Sequence, residues 1–170
     1  MTIPLRFIEA KYEDIPDNIR ASFEKMRETR KGLYLYGPVG TGKTHIVWAL
    51  KKEIDEKCEI NLKQSVGGPY CRVYNTTELL HDIRSKFGKD EGQDLLGDLM
   101  SCKDIIFFDD IGAEKITDWV LETFYLIINK RYENMIPTVF TSNLPITELA
   151  EKIGDRSASR VMEMCNVLDL

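Results

Sequence analysis

Leu33-Tyr34-Leu35-Tyr36-Gly37-Pro38-Val39-Gly40-Thr41-Gly42-Lys43-Thr44 is the stretch on which the fold turns. Its first four residues form a short apolar and aromatic run that reads as a buried strand. Residues 43 to about 57 have helical periodicity, so the glycine-rich segment joins strand to helix. Gly37 to Thr44 satisfies the pattern G-x-x-x-x-G-K-[ST] at every fixed position. Glycines there let backbone N–H groups converge on phosphate oxygens without Cβ clashes, and a helix N-terminus adds a favourable dipole. Lys43 would neutralise the β- and γ-phosphates, and the Thr44 hydroxyl would bind Mg²⁺. The stretch therefore predicts ATP with Mg²⁺, held by Gly37, Pro38, Val39, Gly40, Thr41, Gly42, Lys43, Thr44 and His45.

Outward from this loop the chain alternates. Residues 1–17 read as an irregular lead-in, followed by one helix from an Asp17 cap to about Lys31, where Gly32 breaks it. Residues 59–69 read as an extended loop. Tyr70 to Tyr74 reads as a strand, and Thr76 or Thr77 would cap a helix carrying Leu79, Leu80, Ile83 and Phe87. A second helix follows Gly92, completing a helical insert over 76–102. Ile105-Ile106-Phe107-Phe108, the most apolar run, fits a central parallel strand buried on both faces. A long helix over 117–134, a strand over 138–141, helices over 146–153 and 155–164 and a short strand at Val167-Leu168 complete the series. The expected fold is α/β, a three-layer arrangement with a five-stranded parallel sheet flanked by helices.

Chemistry-bearing residues fall at the ends of these strands. Asp109 stands directly after the apolar run, the Walker B position from which an acid holds the metal. Asp110 follows, where a second acid can act as general base on a water. Asn143 ends Thr141-Ser142-Asn143 at the same carboxyl edge, where an amide can orient that water. Arg156 and Arg160 are four apart on one helix face. Lying well beyond the core strands, they are placed to reach a neighbouring subunit's phosphates, where an arginine stabilises transferring charge.

The 170 residues fit one domain, with 43% hydrophobic and 30% charged residues. No apolar run approaches the roughly 18 residues that a membrane helix needs, and the N-terminus lacks signal-peptide features. A cytoplasmic protein with no membrane partner is expected. A net charge of −5 argues against coating nucleic acid through bulk electrostatics. Cys58, Cys71, Cys102 and Cys165 are scattered without a CxxC pair, which reads as free thiols.

With these motifs in place, the chain resembles the AAA+ ATPases of the ASCE P-loop type. Within them it looks like the DnaC/DnaI helicase-loader family, with IstB-like ATPases close by. The resemblance covers nearly the whole chain: residues 3–7, Ile105 to Lys115 (IIFFDDIGAEK), Asn129 to Asn134, Thr141-Ser142-Asn143 and Gly154 to Arg160. It implies Walker B roles for Asp109 and Asp110, sensor 1 for Asn143, an arginine finger at Arg160 and an accessory or alternative finger at Arg156. It also implies ATP-dependent self-association, with single-stranded DNA and a replicative DNA helicase as partners. Arg84, Lys86, Lys89 and Lys103 of the insert would be candidate phosphate contacts. Phe7, Ile8 and Tyr12 are candidates for the adenine pocket by position.

Three departures from the family stand out. The chain begins at the core's lead-in, without the N-terminal helicase-binding module, and it stops at Leu170 without a full lid. The 59–69 loop is longer than the family's connection. Two functional alternatives remain open. One is a transposition or phage-type DNA-remodelling ATPase that differs only in partner. The other is a nucleotide-gated scaffold with negligible turnover, since Asp110 is one methylene shorter than the more usual glutamate. A small-molecule kinase would need an arginine-rich lid and an acceptor pocket, and the sequence shows neither.

Overall fold

The computed structural model describes residues 3–63, 70–86 and 90–170. Five strands, β1 (Gly32–Tyr36), β2 (Cys71–Asn75), β3 (Ile105–Asp109), β4 (Thr138–Ser142) and β5 (Cys165–Asp169), form one sheet in the order β2-β3-β4-β1-β5. Every pairing is parallel. All residues of β3 and β4 are buried, as expected of central strands covered on both faces, whereas β2 and β5 at the edges are only partly covered. Successive strand residues face opposite ways. Leu33, Leu35, Phe107 and Val139 point into one core and Tyr34, Ile106, Phe108 and Phe140 into the other.

The first core is covered by α1 (Asp17–Glu24), α2 (Met26–Thr29), α3 (Lys43–Lys63) and two 3-10 turns, Leu5–Phe7 and Tyr12–Asp14, in the lead-in. The second lies under α4 (Thr76–Lys86), α5 (Asp90–Ser101), α6 (Asp118–Glu133), α7 (Ile146–Ile153) and α8 (Asp155–Met164). Among the described residues no helix is long and apolar enough to cross a membrane. The three-layer expectation holds.

Several local expectations change. The single helix expected over 17–31 is two, broken at Lys25, an arrangement that keeps Ile19, Phe23 and Met26 in one core. Pro16, not Asp17, occupies the cap position. Residues 59–63, expected in the extended loop, continue α3 to Lys63. An established helix propagates at little cost through ordinary helix formers, even where the apolar period has faded. The remainder of that loop, 64–69, and Phe87 and Lys89 of the insert lie outside the described residues. Neither Thr76 nor Thr77 caps α4. Asn75 accepts the Glu78 N–H through Oδ1 at 3.1 Å, which frees the Thr76 hydroxyl to donate to the Asp109 carbonyl at 2.8 Å. Thr117 caps α6, accepting the Val120 N–H at 3.2 Å.

Register decides where the chemistry collects. Tyr36 is level with Ser142 and Asp169, and Asn75 with Asp109. The segments leaving β1, β3 and β4 therefore emerge side by side at the carboxyl edge of the sheet.

Candidate functional site

The loop after β1 wraps into the first turn of α3. Gly40 and Gly42 take φ of +92° and +91°, the left-handed region that side chains avoid, and a Cβ at either would point into open space. Glycine is demanded there by backbone conformation, and the open side is where a phosphate chain would lie. Lys43 is only 7% exposed and donates to the carbonyls of Gly37 at 2.6 Å and Pro38 at 2.8 Å. Burial pushes its pKa down, and the charges of Asp110 and Asp109 oppose that shift.

Thr44 donates its hydroxyl to Asp109 Oδ2 at 2.9 Å, and Thr141 donates to Asp109 Oδ1 at 2.6 Å. Burial pushes the Asp109 carboxyl up, and the two threonine hydrogen bonds hold it down. Among the described residues no cluster of three or more histidine, cysteine or acidic side chains could cage a metal. Mg²⁺ prefers one or two protein ligands and would complete its octahedron with water and phosphate oxygens. One carboxylate hydrogen-bonded to the phosphate loop's threonine is such a donor set.

Asp110 sits in the left-handed region at φ +63°, one of only three non-glycine residues with positive φ among those described. The conformation is over-determined by β4 and the residue after it. Its N–H donates to Thr141 Oγ1 at 2.9 Å, the Ile111 N–H to the Thr141 carbonyl at 2.8 Å, and Ser142 Oγ to the Ile111 carbonyl at 2.6 Å. Asn143 Nδ2 donates to Asp110 Oδ1 at 2.9 Å. Glu114 accepts the Gly112 N–H at 2.9 Å, and burial pushes its carboxyl up.

A cleft of about 430 Å³ opens over this group. Val39, Gly40, Gly42, Lys43, Thr44 and His45 line one side, and Asp110, Thr141 and Asn143 the other. Asp109 faces an adjoining cavity of about 320 Å³ shared with Thr44, Phe7, Trp48 and Glu78. Of the residues proposed for the adenine, Phe7 lines the cleft, ring to ring with Trp48 at 6.4 Å. Ile8 is exposed, and Tyr12 turns away to donate to Glu24 at 3.1 Å; neither lines the cleft.

Arg156 and Arg160, on α8, do not line the cleft of their own chain. Arg156 is exposed. The Arg160 guanidinium packs over Tyr125 at 5.2 Å and Tyr132 at 5.8 Å and donates to the Arg156 carbonyl. In the insert, Arg84 lies over the Trp119 ring, and Lys103 sits at the opposite, amino edge of the sheet. Lys89 lies outside the described residues.

Sequence reasoning missed Thr141, Trp48 and Arg6, the last of which also lines the cleft. Thr141 carried a signal: it faces the same strand end as Asp109, and a threonine inside a buried strand needs partners for its hydroxyl. Arg6 and Trp48 carried none, because their approach depends on how the lead-in folds across α3.

Fold and site together define a P-loop nucleotide-binding core of the AAA+ type. The chain belongs to the IstB-like ATP binding protein family, whose model matches residues 21–168. It is 29% identical over 155 residues to the phage-like element PBSX protein XkdC of Bacillus subtilis, covering 86% of this chain and 52% of that protein. It is 29% identical over 120 residues to the replicative helicase loader DnaI of the same organism, covering 70% of this chain and 35% of that one. The chain thus spans about half, or less, of these relatives. The crystal structure of the DnaC helicase loader superposes with a TM-score of 0.79 at 24% identity, covering 98% of this chain and 99% of that one. AMPPCP-bound DnaA from Aquifex aeolicus superposes at 0.74 and 17% identity, over 96% of this chain and 50% of that one.

Proposed function

We propose that the protein hydrolyses Mg²⁺-bound ATP in this cleft and that a second copy of the chain completes the site with Arg160, assisted by Arg156. The observation that carries the proposal is the hydrogen-bonded series Thr44–Asp109–Thr141 with Asn143–Asp110 beside it, at the wall between the cleft and the cavity adjoining it. The loop N–H groups and Lys43 bind and orient the phosphates. Thr44 and Asp109 would hold Mg²⁺, which when bound would offset negative charge on the phosphates. Asp110, fixed through Asn143, takes the proton of the attacking water. Arg160 would leave its stack on Tyr125 and Tyr132 to meet the neighbour's phosphate, so nucleotide turnover is slow in an isolated chain.

The biological setting we propose is DNA replication, with self-association on single-stranded DNA and a replicative helicase as the partner acted upon. Likeness to DnaI and to the DnaC fold supports it. The IstB-like family and the phage-element relative favour a second reading, in which the same ATPase acts on a transposition or phage DNA complex.

The test is ATP turnover at high protein concentration for Arg160→Ala, Asp110→Asn and their mixture. Each alone should be nearly inactive. The mixture should regain activity, because Arg160→Ala protein keeps intact acids and its neighbour keeps the arginine. Full activity of Arg160→Ala alone, or no recovery on mixing, would overturn the shared site.

A further inference from the structure

At the opposite end of the sheet from the nucleotide cleft lies a further cavity of about 660 Å³. It opens where β1, β3 and β4 begin, between the last turns of α5 and α6. Its walls are apolar, formed by Met100, Met135, Ile136 and Pro137, and three cations, Arg30, Lys103 and Lys130, stand among them. No carboxylate lines it among the described residues, although the chain carries a net charge of −5. All three cations are exposed. Lys130 shares a hydrogen bond with Glu133 at 3.2 Å. Among the described residues Arg30 and Lys103 have no ion-pair partner.

Cations at helix C-termini ordinarily complement free carbonyls, but here four of those carbonyls on α5 and α6 are already taken. At the end of α6, Met135 N–H donates to the Tyr132 carbonyl at 3.0 Å and Ile136 N–H to the Arg131 carbonyl at 2.9 Å, the two bonds of a Schellman closure. At the end of α5, Cys102 N–H donates to the Asp98 carbonyl at 2.8 Å, and Arg131 donates to the Leu99 carbonyl at 3.1 Å. These four carbonyls therefore do not call for Lys103 or Lys130.

Two further features mark the cavity as built. Arg131, fully buried beneath it, donates to the carbonyls of Leu99, Cys102, Asp104 and Pro137, which fixes the segments carrying Met100, Lys103 and Ile136. Met135 occupies the helix-terminating position that favours glycine, at φ +50°, yet leaves its side chain 62% exposed at the rim. Holding a methionine left-handed is costly relative to glycine. Arg30, also at the rim, has φ +58°. Strain kept at a ligand-facing position is common where the side chain itself is needed.

We propose that this cavity docks an acidic peptide segment of a partner protein, its carboxylates meeting Arg30, Lys103 and Lys130 and an apolar side chain seating against Met100 and Met135. Thioethers adapt to varied apolar side chains. Single-stranded nucleic acid is disfavoured because no aromatic ring lines the cavity among the described residues, and base stacking is its usual anchor. The site is independent of the nucleotide cleft.

Fluorescence anisotropy of the full chain tests it, using a short fluorescein-labelled peptide in which glutamates flank a pair of leucines. The probes for comparison are a lysine-flanked counterpart and labelled oligothymidylate. The acidic peptide should bind saturably, with Kd of roughly 1–100 μM, and the lysine peptide should not. Arg30→Glu with Lys103→Glu should weaken binding by about tenfold or more while leaving ATP affinity unchanged. Met135→Gly should weaken it by roughly threefold or more while keeping or raising thermal stability, since glycine relieves the left-handed backbone. That combination separates lost contact from lost fold. The proposal is overturned if the wild-type chain binds no acidic peptide, if the charge reversals leave its affinity unchanged, or if Met135→Gly keeps full affinity. It is overturned equally if oligothymidylate binds more tightly than the peptide and loses that affinity in the charge-reversed protein.

Discussion

Replacing Thr141 by valine removes one hydroxyl and keeps the shape of a strand residue that is 1% exposed. The hydroxyl donates to Asp109 Oδ1 at 2.6 Å and accepts the Asp110 N–H at 2.9 Å. A hydrogen bond to a charged group contributes about 1.5–3 kcal/mol, and a buried backbone donor left unmatched costs about 1–3 kcal/mol. The two partly overlap in relaxation, so the expected loss is about 2–4 kcal/mol. For a chain of this size that lowers the thermal midpoint by roughly 5–15 °C. Turnover should fall further than stability explains. Asp110 is held left-handed by this contact, and a displacement near 1 Å of a reacting group costs on the order of a hundredfold. Urea unfolding and steady-state ATP turnover at a temperature where both proteins are folded give the two numbers. Thr141→Ser, which restores the hydroxyl, should recover most of the turnover. A Thr141→Val protein within about 0.5 kcal/mol of wild type and equally active would refute the claim that this side chain positions both acids.

Arg131→Met should cost about 3–5 kcal/mol in urea unfolding, since several buried acceptors lose their donor at about 1–3 kcal/mol each: its guanidinium satisfies Thr138 Oγ1 and four backbone carbonyls at once. A loss under about 1 kcal/mol would contradict that bonding role. Burial pushes the Cys71 thiol up to about 12 and the Cys165 thiol higher still. Only the thiolate reacts, and a raised pKa keeps the thiol protonated at every pH below it. Mass spectrometry after iodoacetamide at pH 8 should find both unmodified in the folded protein and alkylated after denaturation. Rapid modification of either one in the folded chain would show that the burial is wrong.

Local spacing made the phosphate loop, both acids and Asn143 legible, because each follows an apolar run short enough to be only a strand. The same logic located all five strands, to within a residue or two at most ends. It could not order them. β4 lies between β3 and β1 because of long-range register that no short window contains. Arg131 reads in sequence as another charge on a long amphipathic helix, and only the meeting of α5, β3 and β4 reveals its acceptors. Thr141 reads in sequence as part of a strand end, while its second role depends on Asp110 turning left-handed. Residues 59–63 read as loop because polar residues interrupt the period, whereas α3 runs through them. The stacking of Arg160 on two tyrosines follows from the packing of α8 against α6, which helix periodicity alone does not specify.

The central claim is that Thr44 and Asp109 hold the metal of a bound ATP. The most direct measurement is titration of a fluorescent ATP analogue into wild-type and Thr44→Ala protein, each with Mg²⁺ and with a chelator. Wild type should bind about tenfold or more tightly when Mg²⁺ is present. Thr44→Ala should keep the metal-free affinity, which rests on Lys43 and the loop N–H groups, and lose the gain from Mg²⁺. A Thr44→Ala protein with an undiminished Mg²⁺ effect, or a wild-type chain that binds no nucleotide in either condition, would contradict the account.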